Sequence, residues 1–168
     1  MKSLTKSELD SILEVAGRHS ACDKLMMKVT FNHGLRASEA VNLDSSNIVG
    51  DYLVVQRLKA SRKTSQPLFD DEKAELIELA KHEGKFFPIS KRTFERRMHT
   101  YGREAGIPEF KCHPHILKHT AGRLAYQGGM GIPEIQKWLG HVNGGNTLRY
   151  MEATEEEAAL AFAAAVGK

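Results

Sequence analysis

One stretch of this chain reads as a strand pair, and nearly everything else reads as helix. Tyr52-Leu53-Val54-Val55-Gln56 is a short apolar run, and Ser65-Gln66-Pro67-Leu68 suits its returning partner. The connection between them holds Arg57, Lys59, Arg62 and Lys63, which makes the hairpin basic. A lone hairpin is marginal in water, so this one has to lean on helices.

The helix signals are frequent. Thr5-Lys6-Ser7-Glu8 is a capping box, and it predicts a helix over 6–18 with Leu9, Ile12, Leu13 and Val15 on its apolar stripe. A second helix over 21–32 carries Leu25, Met26, Val29 and Phe31, and Gly34 suits its stop. Arg36 then falls just past a helix end, before a short helix over 38–43. Asp70 and Asp71 start a helix that ends near His82, and Ser90 caps another over 91–105. Pro114 begins a helix through 127, and Ile132-Pro133-Glu134 opens a shorter one that stops at Trp138-Leu139-Gly140. Residues 142–146 read as loose and glycine-rich, and 155–166 as a very apolar helix. The expected class is α+β, mainly α with a small antiparallel β-sheet.

At 168 residues the chain suits a single domain, 1–168, able to bury a real core. Its net charge of +3, with eight histidines uncounted, fits a polyanionic partner without demanding one. Cys22 and Cys112 give no disulfide framework, which points to a reducing cytoplasm. No apolar run approaches the roughly 20 residues that span a bilayer. The N-terminus lacks the apolar core of a signal peptide. The expectation is a soluble cytoplasmic protein with no membrane partner.

The chemistry-bearing residues concentrate in a few motifs. Arg36 lies in Gly34-Leu35-Arg36-Ala37-Ser38-Glu39, and Lys59 in the basic hairpin. His115 and Lys118 lie in His115-Ile116-Leu117-Lys118-His119-Thr120, His141 in Leu139-Gly140-His141, and Tyr150 nine residues later. A phenol, two imidazoles and fixed cations are what attack on a phosphodiester needs when no metal neutralises the oxygens. Each residue alone has a blander reading: Arg36 as a surface cation at a helix end, Tyr150 as a packing residue. Cys112, His113, His115 and His119 invite a zinc reading, but no second ligand cluster with suitable spacing accompanies them. His113 and His119 suit a helix start and a packing role, and Trp138 suits the core beside the turn before His141.

In order and spacing, from about Thr5 to Tyr150, these motifs resemble the catalytic domain of the tyrosine recombinase, or phage integrase, family. The wording around Arg36 and Arg57-Leu58-Lys59 is most similar to short relatives such as fimbrial phase-switch invertases. The resemblance implies the tyrosine recombinase catalytic-domain fold and site-specific recombination of double-stranded DNA by integration, excision or inversion. The reaction would pass through a 3′-phosphotyrosyl link, with no cofactor and no metal.

It further implies that Tyr150 is the nucleophile, His115 the proton acceptor and Lys59 the general acid, with Lys63 a rival on the same hairpin. Arg36, Lys118 and His141 would cradle the phosphate. Arg57, Arg62, Lys63, Arg92, Arg96 and Arg97 are the expected DNA-binding cations. Family members assemble as tetramers on DNA and exchange C-terminal segments, here 155–168 with Leu160, Phe162 and Val166. The other reading of that helix is that it packs on its own core. The setting would be a bacterial or phage-infected cell, near the nucleoid.

Two departures from the family stand out. The family pattern is His-x-x-Arg, and this chain has His115-x-x-Lys118, which keeps the charge and loses the bidentate fork. Most members also carry a separate N-terminal DNA-clamping domain, whereas here the resemblance begins almost at Met1, so no N-terminal core-binding domain is expected. Rival functions are a topoisomerase-like nicking and resealing activity and a DNA-binding relic that no longer cuts.

Overall fold

The Thr5 hydroxyl accepts from the Glu8 amide at 3.1 Å, and a Glu8 carboxylate oxygen accepts from the Thr5 amide at 2.7 Å. That reciprocal pair opens α1 (Lys6–His19), as the capping box predicts. The structure is a computed structural model that describes residues 3–58, 62–148, 150 and 155–167. Ser20 both ends α1 and caps α2 (Ala21–Asn32), so one residue joins the two helices. They pack face to face through Leu9, Ile12, Val15, Leu25, Met26 and Val29, all buried.

Next come α3 (Ala37–Ala40), the strands β1 (Ile48–Val49), β2 (Tyr52–Val55) and β3 (Thr64–Pro67), and α4 (Lys73–Leu79). They are followed by α5 (Lys91–Glu104), α6 (His115–Gln127), α7 (Ile132–Leu139), α8 (Gly145–Leu148) and α9 (Glu155–Val166). α5 lies on α1, α6 on α2, and α7 on both α6 and β3. Phe86, Phe87, Phe94, Met98, Ile116 and Leu117 complete the main core. The fold is mainly α with one small antiparallel sheet, ordered β1-β2-β3.

Several boundaries differ from the sequence expectation, each for a local reason. β1 pairs with β2 around Gly50, and two residues leave no alternation to read. β3 begins at Thr64, opposite Val55, one residue earlier than expected. α3 stops at Ala40 because the chain turns so that the Leu43 carbonyl can accept from the Phe86 amide at 2.8 Å. α4 starts at Lys73, after a turn in which buried Glu72 accepts from the Phe69 amide. The glycine-rich 142–146 segment runs into the short helix α8.

α9 forms where the composition puts it. Leu160 is 66 % exposed and Phe162 65 % exposed, so these side chains face solvent rather than the protein's own core. Among the described residues no helix is long and apolar enough to cross a membrane.

Gly34 ties the end of α2 to the end of α7. Its φ of +57° lies in the left-handed region, and a Cβ built there would sit 2.3 Å from Leu139 Cδ2. Gly34→Ala therefore meets both backbone strain and overpacking, and should lower stability by about 1–3 kcal/mol in urea unfolding. An unchanged midpoint would refute this account of the joint.

Candidate active site

Arg36 caps α3 and is held by the residue three places on. Glu39 Oε2 accepts from the Arg36 amide at 2.8 Å, and Oε1 accepts from Arg36 Nη1 at 3.0 Å. The same carboxylate accepts from Arg57 Nη1 and from the Leu58 amide, both at 3.0 Å. Burial alone would raise the Glu39 carboxyl. The Arg36 amide, the Arg57 charge and the Leu58 amide outweigh it and hold the group below the usual carboxylate range. Glu39 thus fixes the direction of Arg36, whose side chain remains 21 % exposed. Glu39 is not among the site residues that the motifs single out, although its spacing from Arg36, which is that of a capping box, marks it in the sequence.

Arg57 corrects the expectation. It was grouped with the DNA-facing cations, but it is 3 % exposed and all its donors point inward. Nε donates to Thr64 Oγ1 at 2.8 Å, Nη1 to the Gly34 carbonyl at 3.1 Å, and Nη2 to the His33 and Trp138 carbonyls at 2.7 and 3.4 Å. The period of the strand explains it. Leu53, Val55 and Arg57 are alternate residues that share the buried face of β2 and its extension.

Lys118, on the inner side of α6, is 2 % exposed, and its Nζ donates to the Leu139 carbonyl at 2.9 Å. Burial, reinforced by Arg57 and Arg36 and opposed by Glu39, brings its pKa down to about 7. Gly140 ends α7 with φ +69°, and a Cβ there would lie 2.8 Å from Arg57 Cγ. That turn delivers His141, whose Nδ1 meets Thr147 Oγ1 at 2.9 Å. Burial and the neighbouring Lys118, Arg36 and Arg57 charges push His141 down to about 4.

His115 sits in the first turn of α6, directly after Pro114, with its residue surface exposed. Desolvation of the ring, with His119, Lys118, His113 and Arg36 nearby, lowers its pKa to about 4. Its ring meets His119 edge to face at 4.3 Å between centroids, and His119 in turn lies 6.3 Å from the Tyr150 ring. Tyr150 is 1 % exposed, and a Cβ on Gly122 would come within 2.6 Å of its ring. Its carbonyl accepts from Arg123 Nη1 at 3.0 Å.

Arg36, Leu58, His113 and His115 line a cavity of about 490 Å³, together with Ala37, Ser38, Pro114, Lys91 and Glu95 from the start of α5. Arg36 and His115 line this cavity, whereas Lys118 and His141 are buried beside these groups, near enough for the Arg36 charge to act on them, and do not form the cavity wall. Tyr150 is near it but packed into the protein.

Lys59 lies outside the described residues. Arg62, Lys63, Arg92 and Arg96 are exposed. Arg97 is half-buried and pairs with Asp23, which Tyr101 also contacts. Trp138 is half-buried rather than in the core, stacked on His33 and donating to the Asn32 carbonyl at 3.1 Å.

Comparisons with known proteins follow the same lines. The family model described as "Phage integrase family" matches residues 2–157. Type 1 fimbriae regulatory protein FimB of Escherichia coli (strain K12) is 32 % identical over 165 residues, covering 88 % of this chain and 82 % of FimB. Tyrosine recombinase XerA of Pyrococcus furiosus is 30 % identical over 168 residues, covering 91 % of this chain but 58 % of XerA. A crystal structure of XerA recombinase superposes with a TM-score of 0.79 at 20 % identity, over 96 % of this chain and 62 % of that one. The fold is shared with that recombinase.

The two hairpin arginines should behave oppositely. Arg57→Met leaves Glu39 buried beside one guanidinium and takes the donor from the Gly34 carbonyl, while the His33 and Trp138 carbonyls keep Gln66 Nε2, so it should cost about 3–5 kcal/mol in urea unfolding. Arg62→Met, at an exposed position, should stay within about 0.5 kcal/mol. Equal effects would contradict the buried role of Arg57.

Proposed function

The chain belongs to the phage integrase family, and on that premise we propose that it is a site-specific recombinase that cuts and rejoins double-stranded DNA through Tyr150. The observation that carries this reading is the closeness of Arg36, His115, Lys118 and His141, whose charges act on one another, with Tyr150 reached from His115 through the His119 ring.

A phosphodiester is anionic, and more charge builds on its nonbridging oxygens as a nucleophile attacks. Arg36, aimed by Glu39, offers its fork to those oxygens. Lys118 and His141, both buried, complete the cradle, so the charge meets donors already fixed in place. His115 and His141 are held near 4 and are therefore neutral at pH 7. A neutral His115 can take the phenol proton of Tyr150, whose unperturbed pKa is about 10. The proton for the departing 5′ oxygen comes, in this reading, from Lys59.

Attack joins the phenol oxygen to phosphorus and breaks the bond to the 5′ oxygen. The product is a 3′-phosphotyrosyl link and a free 5′ hydroxyl. The link keeps the energy of the broken ester, so a hydroxyl from another strand can reverse the step without ATP. The ring of Tyr150 has to leave its seat against Gly122 to reach the phosphate. Arg62, Lys63, Arg92 and Arg96 are the exposed cations offered to the DNA backbone.

We also propose that copies assemble on DNA through α9. Leu160 and Phe162 face solvent on this helix, while an apolar groove of about 510 Å³, lined by Phe31, Phe69, Leu124, Met130 and Trp138, lies open elsewhere on the surface. A helix from one copy laid in the groove of the next would cover both.

The decisive measurement uses a nicked suicide duplex carrying the cognate site, selected by binding from random duplexes and run on a denaturing gel. The wild-type protein should form a covalent adduct that Tyr150→Phe abolishes. Normal binding with no adduct would make the protein a DNA-binding relic instead. Relaxation of supercoiled DNA without paired sites would favour nicking and resealing. For assembly, the paired change Leu160→Ser, Phe162→Ser should leave monomer stability within about 0.5 kcal/mol. It should weaken the multi-protomer complex on DNA, read on a native gel, by about tenfold or more. Unaltered assembly would rule out α9 as the bridge.

A further inference from the structure

The Lys118 ammonium is buried among cations. His115 on α6 and His141 in the turn after α7 lie near it as neutral rings, while Arg36 acts on it from the start of α3 and Arg57 from the end of β2. Glu39 is the carboxylate that opposes them, and its oxygens already accept from Arg36, Arg57 and the Leu58 amide. Among the described residues, Lys118 has one hydrogen bond, to the Leu139 carbonyl. Among the described residues, two guanidiniums and an ammonium thus surround one carboxylate, with Arg57 and Lys118 nearly closed to water. Such surroundings favour a lysine that gives up its proton, or the entry of an anion.

We propose that Lys118 is a proton-linked phosphate clamp: it takes up a proton as a DNA phosphodiester enters the adjoining cavity lined by Arg36 and His115, and releases one as the phosphate leaves. The proposal rests on the recombinase reading given above. An arginine at this position stays charged across the working pH range and cannot couple binding to a proton. Lysine can. Without DNA, burial and the Arg57 and Arg36 charges hold Lys118 at about 7. An arriving phosphate opposes those charges and raises it. Between the free and bound values, binding consumes a proton, so affinity falls as pH rises above about 7. The histidines of the cluster, held near 4, do not titrate in that window.

The test uses the Tyr150→Phe protein, which binds without cutting, and a short duplex carrying the cognate site. Its reference is the same duplex with a neutral methylphosphonate at the scissile position. Fluorescence anisotropy from pH 6.5 to 9 at constant ionic strength reads affinity. Calorimetry in two buffers of different ionisation enthalpy reads proton uptake. One linked proton changes affinity by at most about tenfold per pH unit. With Lys118, binding at pH 9 should be about tenfold weaker or more than at pH 7, with net proton uptake at pH 8. With Lys118→Arg, or with the methylphosphonate, the pH dependence should shrink to about twofold and the uptake should vanish. Equal pH dependence and equal uptake with Lys118 and with Lys118→Arg would overturn the clamp.

Lys118→Met covers the case in which the arginine variant does not fold. The unfolded lysine titrates near its ordinary value of 10.5 and the folded one at about 7. Between these values the unfolded chain binds more protons, so stability without DNA rises with pH over that window. Lys118→Met should abolish the rise and should be more stable than wild type at pH 7. A purely structural Lys118 would give the opposite, a less stable variant with the pH slope intact. Failure of the parent reading is separate: wild-type protein would then form no phosphotyrosyl adduct on the suicide duplex, whatever the pH dependence of binding.

Discussion

The carboxylate of Glu39, shared by Arg36 and Arg57, is the interaction on which the rest of the site depends. Arg57 lies beneath it and is bonded to carbonyls of the α2–α3 turn, to the end of α7 and to Thr64 of β3. Arg36 lies above it and faces the cavity. Burying a guanidinium is costly unless every donor is met, and here the geometry meets them with backbone from segments far apart in sequence. The same demand explains Gly140. The chain passes so close to Arg57 Cγ that a side chain at that turn would collide with it. Arg36, the hairpin leading to Lys59, and the turn before His141 are thus referenced to one buried pair.

Much of this was legible in the sequence, and what was not has definite causes. α1, α2, α6 and α7 begin where caps and prolines announce them, because capping is a local interaction between residues three apart. The early end of α3 was not legible, since it is decided by a bond from Leu43 to Phe86, more than forty residues away. Arg57 was misjudged because a cation in a basic hairpin suggests surface, although the alternation from Leu53 through Val55 already pointed inward. Tyr150 could be located by its interval from His141. Its burial could not, because that depends on Gly122, whose missing side chain leaves room for the ring.

The seat of Tyr150 bears on how the protein would act. A phenol at 1 % exposure, resting on Gly122 and near His119, is not positioned to meet a DNA phosphate in the neighbouring cavity. In the proposed reading, cutting follows a movement of the segment that carries it. That segment leads within a few residues to α9. If α9 lies on a second copy during assembly, the pull on the segment differs from that in a lone protomer. Cutting would then depend on assembly, which protects unpaired DNA from being broken.

One electrostatic fact governs the protonation of the whole cluster. Burial lowers Lys118, His141 and His115 first, and the excess of buried cation over carboxylate adds to it in each case. In the proposed reading an entering phosphate is met by a proton on Lys118, so the two new charges offset each other at His115 and His141, which stay neutral at pH 7. In the same reading a lysine instead of an arginine at position 118 makes the field of this cluster adjustable, because the lysine's own charge would depend on the phosphate it binds.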